Sequence, residues 1–289
     1  MTKYLRMLQE NMSMRLLNIG CGIRLHKDWV NIDIAPVSPK VQKYNILEGI
    51  PFRDNTFDAV YCSHILEHIP KNKALAFIRD CYRVLKPGGI LRVVAPDLEI
   101  IARLYLDRLD KSLSGDRQAQ IDYDWILLEM YDQTVRDCAG GEMRKYLTQQ
   151  NIPNAAFVQS RIGSAYHISR SFAQHNVKKS FGERLASVTF PKVFSRIRHI
   201  IRSLIFMLLP PRTRAALQIG YFRLSGEIHQ CMYDRYSLAQ LLQQVGFTEP
   251  KVMTAHESTI PNWTSFNLDT EPDGTIYKPD SLWIEATKM

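Results

Sequence analysis

The chain has 289 residues, 45% hydrophobic and 23% charged, with a formal net charge of +8. That composition excludes a disordered chain, and the length exceeds the ~100–150 residues of a common domain, so one domain with an insertion or two unequal parts is expected. Five scattered cysteines, Cys21, Cys62, Cys81, Cys138 and Cys231, never form a C-x-x-C pair, which argues against both a disulfide framework and a zinc site.

The opening residues MTKYLRMLQENMSM interrupt their apolar positions with Lys3, Arg6 and Glu10. No secretory h-region is present there, and a reduced, cytoplasmic protein is expected. RLLNI (15–19) is a short apolar strand running into Gly20-Cys21-Gly22, and WVNIDI (29–34) is a second strand. KVQKYNI is a weaker third and DAVYCS a buried fourth. From Lys71 to Lys86 the residues Ala74, Leu75, Ile78, Tyr82 and Leu85 follow helical spacing, and Pro87-Gly88-Gly89 is expected to end that helix. ILRVVAPD (90–97) is a fifth strand. Alternating strands and helices predict a mostly parallel sheet.

Residues 98–225 change to helical patterns, LEIIARLYLDRL and DYDWILLEMYDQTVRD among them, broken at CAGG and NIPN. The last part returns to mixed structure: helix RYSLAQLLQQV stopped by Gly246, then strands KVMTA and SLWIEATK, expected to form an antiparallel edge. Three parts follow: 1–97, a helical insertion 98–225, and 226–289.

The glycine turn is the first functional clue. A dinucleotide fold requires G-x-G-x-x-G, but Leu25 stands at the third glycine position, which disfavours a nicotinamide or flavin oxidoreductase, and no P-loop occurs. Asp33, at the end of the second strand, can accept from both hydroxyls of a ribose. Together LLNIGCG, NIDI, IPFRDNTFDAVYCSHILEHI and YRVLKPGGILRVVAPD resemble, in order and spacing, the motifs of class I S-adenosylmethionine-dependent methyltransferases, nearest to the small type 11 subgroup. The resemblance covers roughly 15–97 and returns in YSLAQLLQQVGF and the last strand.

The resemblance implies an α/β, Rossmann-like sheet and S-adenosylmethionine as cofactor. Gly20, Cys21 and Gly22 would cradle its methionine part and Asp33 its ribose. Asn45 would face the adenine, Ile46 or Leu47 would pack on the ring, and Ser63 and His64 would lie beside the sulfonium. Two positions depart from the family pattern, since Asn18 and Asn45 stand where acids are usual. Only seven residues separate Gly22 from Val30, too few for a first crossover helix.

Methyl transfer to oxygen calls for a base. His64 and His68 flank Glu67 and would share a face on a helix beginning near His64. The order is not H-E-x-x-H and no third ligand is apparent, so no metal is expected. Asp97 is either a helix N-cap or a base. His229, near Tyr233 and Asp234 where the chain rejoins the sheet, is the leading base. Gln133, Arg136 and Glu142 around Gly140-Gly141 either line an acceptor pocket or serve as caps and surface pairs.

Residues 171–225 hold ten basic residues against one acidic. Phe194–Leu209 forms an apolar stripe with arginines opposite, so segment 184–225 is either an interfacial contact with an anionic membrane or a helix packed on the core. Its apolar run is too short to span a bilayer, and aromatic residues are not interleaved as single-stranded nucleic acid would require. The expected function is methyl transfer to a small-molecule, sugar, glycan or lipid-linked acceptor, at oxygen. The alternative is an inactive cofactor-binding scaffold.

Overall fold

The computed structural model describes residues 14–174, 206 and 208–289. Among them seven strands form one sheet: β1 Leu16–Ile19, β2 Trp29–Asp33, β3 Val41–Lys43, β4 Phe57–Ser63, β5 Leu85–Pro96, β6 Phe247–Met253 and β7 Ser281–Lys288, in the order β3-β2-β1-β4-β5-β7-β6. The first five pair in parallel. β7 is antiparallel to β5 and to β6, so β7 alone is reversed. The α/β sheet with its antiparallel edge matches the sequence-based expectation.

Helix α1 (Lys71–Val84) ends earlier than periodicity predicts. Leu85 already pairs with Phe57, and the register shifts between Phe57 and Ala59. Pro87-Gly88-Gly89 is therefore a bulged bend inside β5, not a helix stop: Gly88 takes φ +75°, and a Cβ on Gly89 would press on the carbonyl oxygens of Lys86 and Asp58. Similarly, β6 begins at Phe247, directly after the left-handed Gly246 cap of α8 (Arg235–Val245).

Period-2 alternation sends strand residues to two faces. Leu17, Ile19, Ile32, Val60, Leu91 and Val93 pack against α1 and α8 through Ile78, Cys81, Leu238 and Leu242. Leu16, Trp29, Ala59, Tyr61 and Val94 face the other way. With no helix between β1 and β2, that second face is covered by the loop before β7, whose Ile260, Trp263 and Leu268 complete the layer. Trp263 lies 6.2 Å from Trp29 and 5.3 Å from Tyr61, ring to ring. One such indole removes about 150–250 Å² from water, worth roughly 4–6 kcal/mol before ordering costs.

Arg92 pins the same loop from beneath. Fully buried, it spends its guanidinium on Asp269, Glu285 and the carbonyls of Thr254 and Glu257, at 2.7–3.0 Å, with its Cζ 4.4 Å from the Trp263 ring. Tyr61 donates to the other oxygen of Asp269 at 2.6 Å.

Between β5 and α8 lies a helical region: α2 Leu98–Leu113, α3 Arg117–Val135, α4 Gly141–Leu147, α5 Ala155–Ile162, α6 Ala165–Gln174 and α7 Pro211–Arg223. It has its own core around Trp125, Ile126, Val158 and Ile162. Within it the buried Glu129 accepts from Arg161 at 2.8 Å and from the Trp125 indole. α7 buries no residue. Most of the predicted basic helix 194–209 lies outside the described residues. Among the described residues no helix is long and apolar enough to cross a membrane.

Candidate active site

The glycine turn sits at the carboxyl end of β1, where open α/β sheets bind ligands. Gly20 and Gly22 both take positive φ, +63° and +49°. A Cβ on Gly20 would overlap the Ile65 side chain, whereas one on Gly22 would meet nothing within 4 Å. Gly20 is thus required by packing, and Gly22 keeps the mouth of the turn open. Asp33 braces the turn, accepting from Gly22 N and Ala35 N at 2.8 Å each.

Asn18 explains its own departure from the family pattern. Its Nδ2 donates to Arg24 O (2.8 Å) and to Asn31 Oδ1 (3.0 Å), while Asn31 donates to the carbonyls of His26 and Trp29. A turn with no helix behind it needs these donors, and a carboxylate has none to offer.

A cavity of about 220 Å³ opens over the turn. Asn18, Gly20, Cys21, Gly22, Ser63 and His64 wall it, and Tyr277 and Lys278 of the loop before β7 close it. Arg24 stacks on Tyr277, Cζ 4.4 Å from the ring, and pairs with Glu271 at 3.2 Å. The Cys21 thiol is pushed up to about 11, first by burial and then by the charge of Asp33, so it stays protonated. Asn45 and Ile46 do not line this cavity. Asn45 caps a short turn at Ile46–Glu48, accepting from Leu47 N and donating to Glu48.

At the end of β4 the chain does not enter a helix at His64. His64 is a non-glycine at φ +52°, a conformation that costs on the order of 1–3 kcal/mol, followed by one tight turn, Leu66–His68. The His64 amide bonds Val94 O at 2.9 Å, its Nδ1 meets Glu67 Oε1 at 3.1 Å and its Nε2 meets Ser281 Oγ at 2.9 Å. With Nδ1–H donated to the carboxylate, Nε2 is the basic nitrogen. Burial alone would raise Glu67, but the hydrogen bond and charge of His64, with His68 and His229, outweigh it and hold the carboxyl at about 2.

His229, the leading base on sequence grounds, lies away from the cavity over the glycine turn. The ring is 5% exposed, packs edge-on against His68 at 4.8 Å, and lines neither this cavity nor the second one described below. Burial, joined by the charges of His68, His64 and Arg136, pushes it down to about 3 against the pull of Glu67, leaving a neutral, weakly basic imidazole. Asp234 turns away to cap α8. Asp97 caps α2, one oxygen accepting from Glu99 N and Ile100 N, and burial raises its pKa against those amides.

A second cavity, about 310 Å³, lies between the helical region and the loop before β7. Gln133, Arg136 and Gly140 line it, whereas Glu142 pairs with Lys145 on the surface. Arg144, Lys278 and Asp280 complete its polar lining, and Lys278 also lines the first cavity. Arg136 is neutralised by Asp132 and Glu227, each at 3.2 Å. Arg144 and Lys278 have no ion-pair partner among the described residues. Asp280 Oδ1 is buried and unpartnered among them. No periodicity or motif marks Lys278 or Asp280 in the sequence; only the fold brings KPD under the helices.

A parallel sheet with a glycine turn, a walled cavity over that turn, and an acid ending β2 that braces the turn without lining the cavity defines a nucleoside-cofactor site. Residues 17–93 match the family model of a methyltransferase domain, and this part of the chain is a class I S-adenosylmethionine-dependent methyltransferase domain of the type 11 kind. The probable methyltransferase ltbC of Aspergillus luteorubrus is 47% identical over 58 residues, 20% of this chain and 20% of that protein. The ubiquinone biosynthesis O-methyltransferase of Xanthomonas campestris pv. campestris (strain B100) is 36% identical over 99 residues, 27% of this chain and 41% of that protein. A solved structure of a SAM dependent methyltransferase from Archaeoglobus fulgidus aligns over 99% of this chain and 92% of that one, at 13% identity and a TM-score of 0.38. The matches span a fifth to two fifths of the length of these two curated relatives.

S-adenosylmethionine is the cofactor of this domain class, and the turn suits it. Gly22 leaves room for a close backbone approach, Asp33 keeps further acceptor capacity beside the turn, and the walls supply both hydroxyl and imidazole groups.

Proposed function

We propose that the chain methylates an oxygen of a small acceptor carrying an anionic group, such as an acidic sugar or a lipid-linked glycan intermediate. The observation that carries this reading is Lys278, which lines both cavities, so that a cofactor site and an acceptor site share a wall. When bound, S-adenosylmethionine supplies a methyl carbon already activated by its sulfonium. Asn18, Gly20, Cys21, Gly22 and Asp33 form its cradle, with Ser63 and His64 at the reacting end and Asn45 with Ile46 beyond Asp33 toward the adenine. Arg144 and Lys278 draw the anionic group of the acceptor.

Of the three candidate bases, His64 alone lines the cofactor cavity. Glu67 orients it through Nδ1, and the acceptor hydroxyl delivers its proton to Nε2 after displacing Ser281. Asp97 and His229 act as positioning residues, the first by holding the start of α2. The region 98–225 serves as the acceptor lid, and a lipid-linked acceptor would bring segment 184–225 to an anionic membrane.

The test is transfer of labelled methyl groups from S-adenosylmethionine to a panel of anionic and neutral hydroxylated acceptors, with and without anionic liposomes. Arg144→Ala is expected to raise the acceptor KM about tenfold, the loss of one charge-assisted contact, at unchanged S-adenosylhomocysteine affinity. Cofactor binding with no transfer to any acceptor would favour a non-catalytic scaffold.

A further inference from the structure

The turn after β4 and the chain returning from the helical region meet at a cluster that lines neither cavity. Glu67, His68 and His229 each present one ligand atom there, all within 4.8 Å of one another. Two of these residues are almost wholly buried, Glu67 at 0% and His229 at 5% exposure. Each carries a buried atom, Glu67 Oε2 and His229 Nδ1, without a hydrogen-bond partner among the described residues. Buried carboxylate and imidazole atoms of this kind are normally satisfied.

The remaining groups are held as a metal site holds them. His68 Nδ1 lies 3.1 Å from Ile228 O, which makes it the N–H and frees Nε2 as a lone pair. Such a bond from the other ring nitrogen to a carbonyl is the usual support of a metal-bound histidine. Glu67 Oε1 is fixed by His64, leaving Oε2 toward the cluster. Glu67 O also accepts from Gln230 N and Cys231 N, so the two chain segments are already in register.

We infer that Glu67, His68 and His229 bind one divalent transition-metal cation, with zinc as the foremost occupant. Two imidazoles and one carboxylate suit zinc, cobalt or iron, whereas magnesium and calcium require all-oxygen sets. Zinc bonds of about 2.0–2.2 Å place ligand atoms roughly 3.4 Å apart in a tetrahedral site, a contraction that small ring rotations supply. The cation clamps the end of the helical region onto the sheet beside His64. In the sequence the first two ligands are adjacent, but the third comes from the far side of the insertion.

The experiment uses the full chain, stripped with chelator and dialysed, then titrated with zinc by calorimetry and with cobalt(II) by visible absorption. One equivalent of zinc is expected, along with a tetrahedral cobalt ligand-field band that zinc abolishes. His229→Ala and His68→Ala should each weaken zinc binding at least a hundredfold while circular dichroism stays unchanged. If a variant fails to fold, the wild-type cobalt spectrum decides, since an octahedral aquo-like spectrum or no binding overturns the assignment. Zinc binding with equal affinity in a folded His229→Ala variant overturns it too.

Discussion

Replacing Asn18 by aspartate, the residue type usual at this position in the family, is expected to destabilise the protein. The amide nitrogen of Asn18 donates two bonds, to Arg24 O and Asn31 Oδ1, from a residue 1% exposed. A carboxylate donates none. Two lost hydrogen bonds account for about 1–3 kcal/mol, and leaving acceptors facing each other in a buried place adds about 1–3 kcal/mol more. The net expectation is about 2–6 kcal/mol, moderated if Asn31 turns its amide at the expense of His26 and Trp29. Burial raises the pKa of the introduced carboxyl above its unfolded value near ~3.9. The penalty therefore grows as pH rises above that value and shrinks on acidification, when the protonated group can again donate. Urea unfolding of Asn18→Asp and wild type at about pH 5 and about pH 8 measures both effects. Equal stability at the higher pH, or a larger deficit at the lower one, would refute the bracing role and recast Asn18 as a lost acid.

Gly20→Ala and Gly22→Ala should separate packing from binding. The first overlaps Ile65 at positive φ and should cost about 2–4 kcal/mol of stability; the second should cost about 1 kcal/mol yet weaken S-adenosylhomocysteine binding in calorimetry. Arg92→Met leaves Asp269 and Glu285 buried without their cation, a loss of about 3–5 kcal/mol in urea unfolding, and a neutral outcome would mean that the loop before β7 is held by its aromatics alone. Asp234→Ala removes the cap and capping box of α8, about 1 kcal/mol at neutral pH. Its backbone bond to Ser237 lowers the pKa of Asp234, so this contribution is present above the unfolded value of ~3.9 and disappears as pH falls through the folded one. A difference from wild type that persisted in strong acid would contradict the charge-assisted cap.

The first strands and the glycine turn were legible because their signals are local. Apolar strands flanked by turn residues mark β1, β2 and β4, and the short span from Gly22 to Val30 correctly denies a crossover helix. The PGG bulge in β5 was not legible: proline and glycines mark a break, but only pairing with Phe57 makes it a strand bend. The cover over the second sheet face was hidden for a related reason, since Trp263 and Phe266 sit in a segment without periodicity. Site residues separated by the insertion were hardest. Lys278 shares a cavity with His64, and His229 packs on His68, through placements that no spacing rule encodes. His229 was found by residue type, but the burial that depresses its basicity, helped by the charges of His68, His64 and Arg136 and opposed by Glu67, arises only in the fold.

The measurement closest to the central claim is calorimetric titration of the full chain with S-adenosylmethionine and with S-adenosylhomocysteine, with NADH as control. The account predicts micromolar binding of both sulfur compounds, about −8 kcal/mol, and no heat from NADH. Loss of that binding in Asp33→Ala, with folding intact, is expected as well. Binding of NADH in preference, or no binding of either sulfur compound to the folded protein, would contradict it.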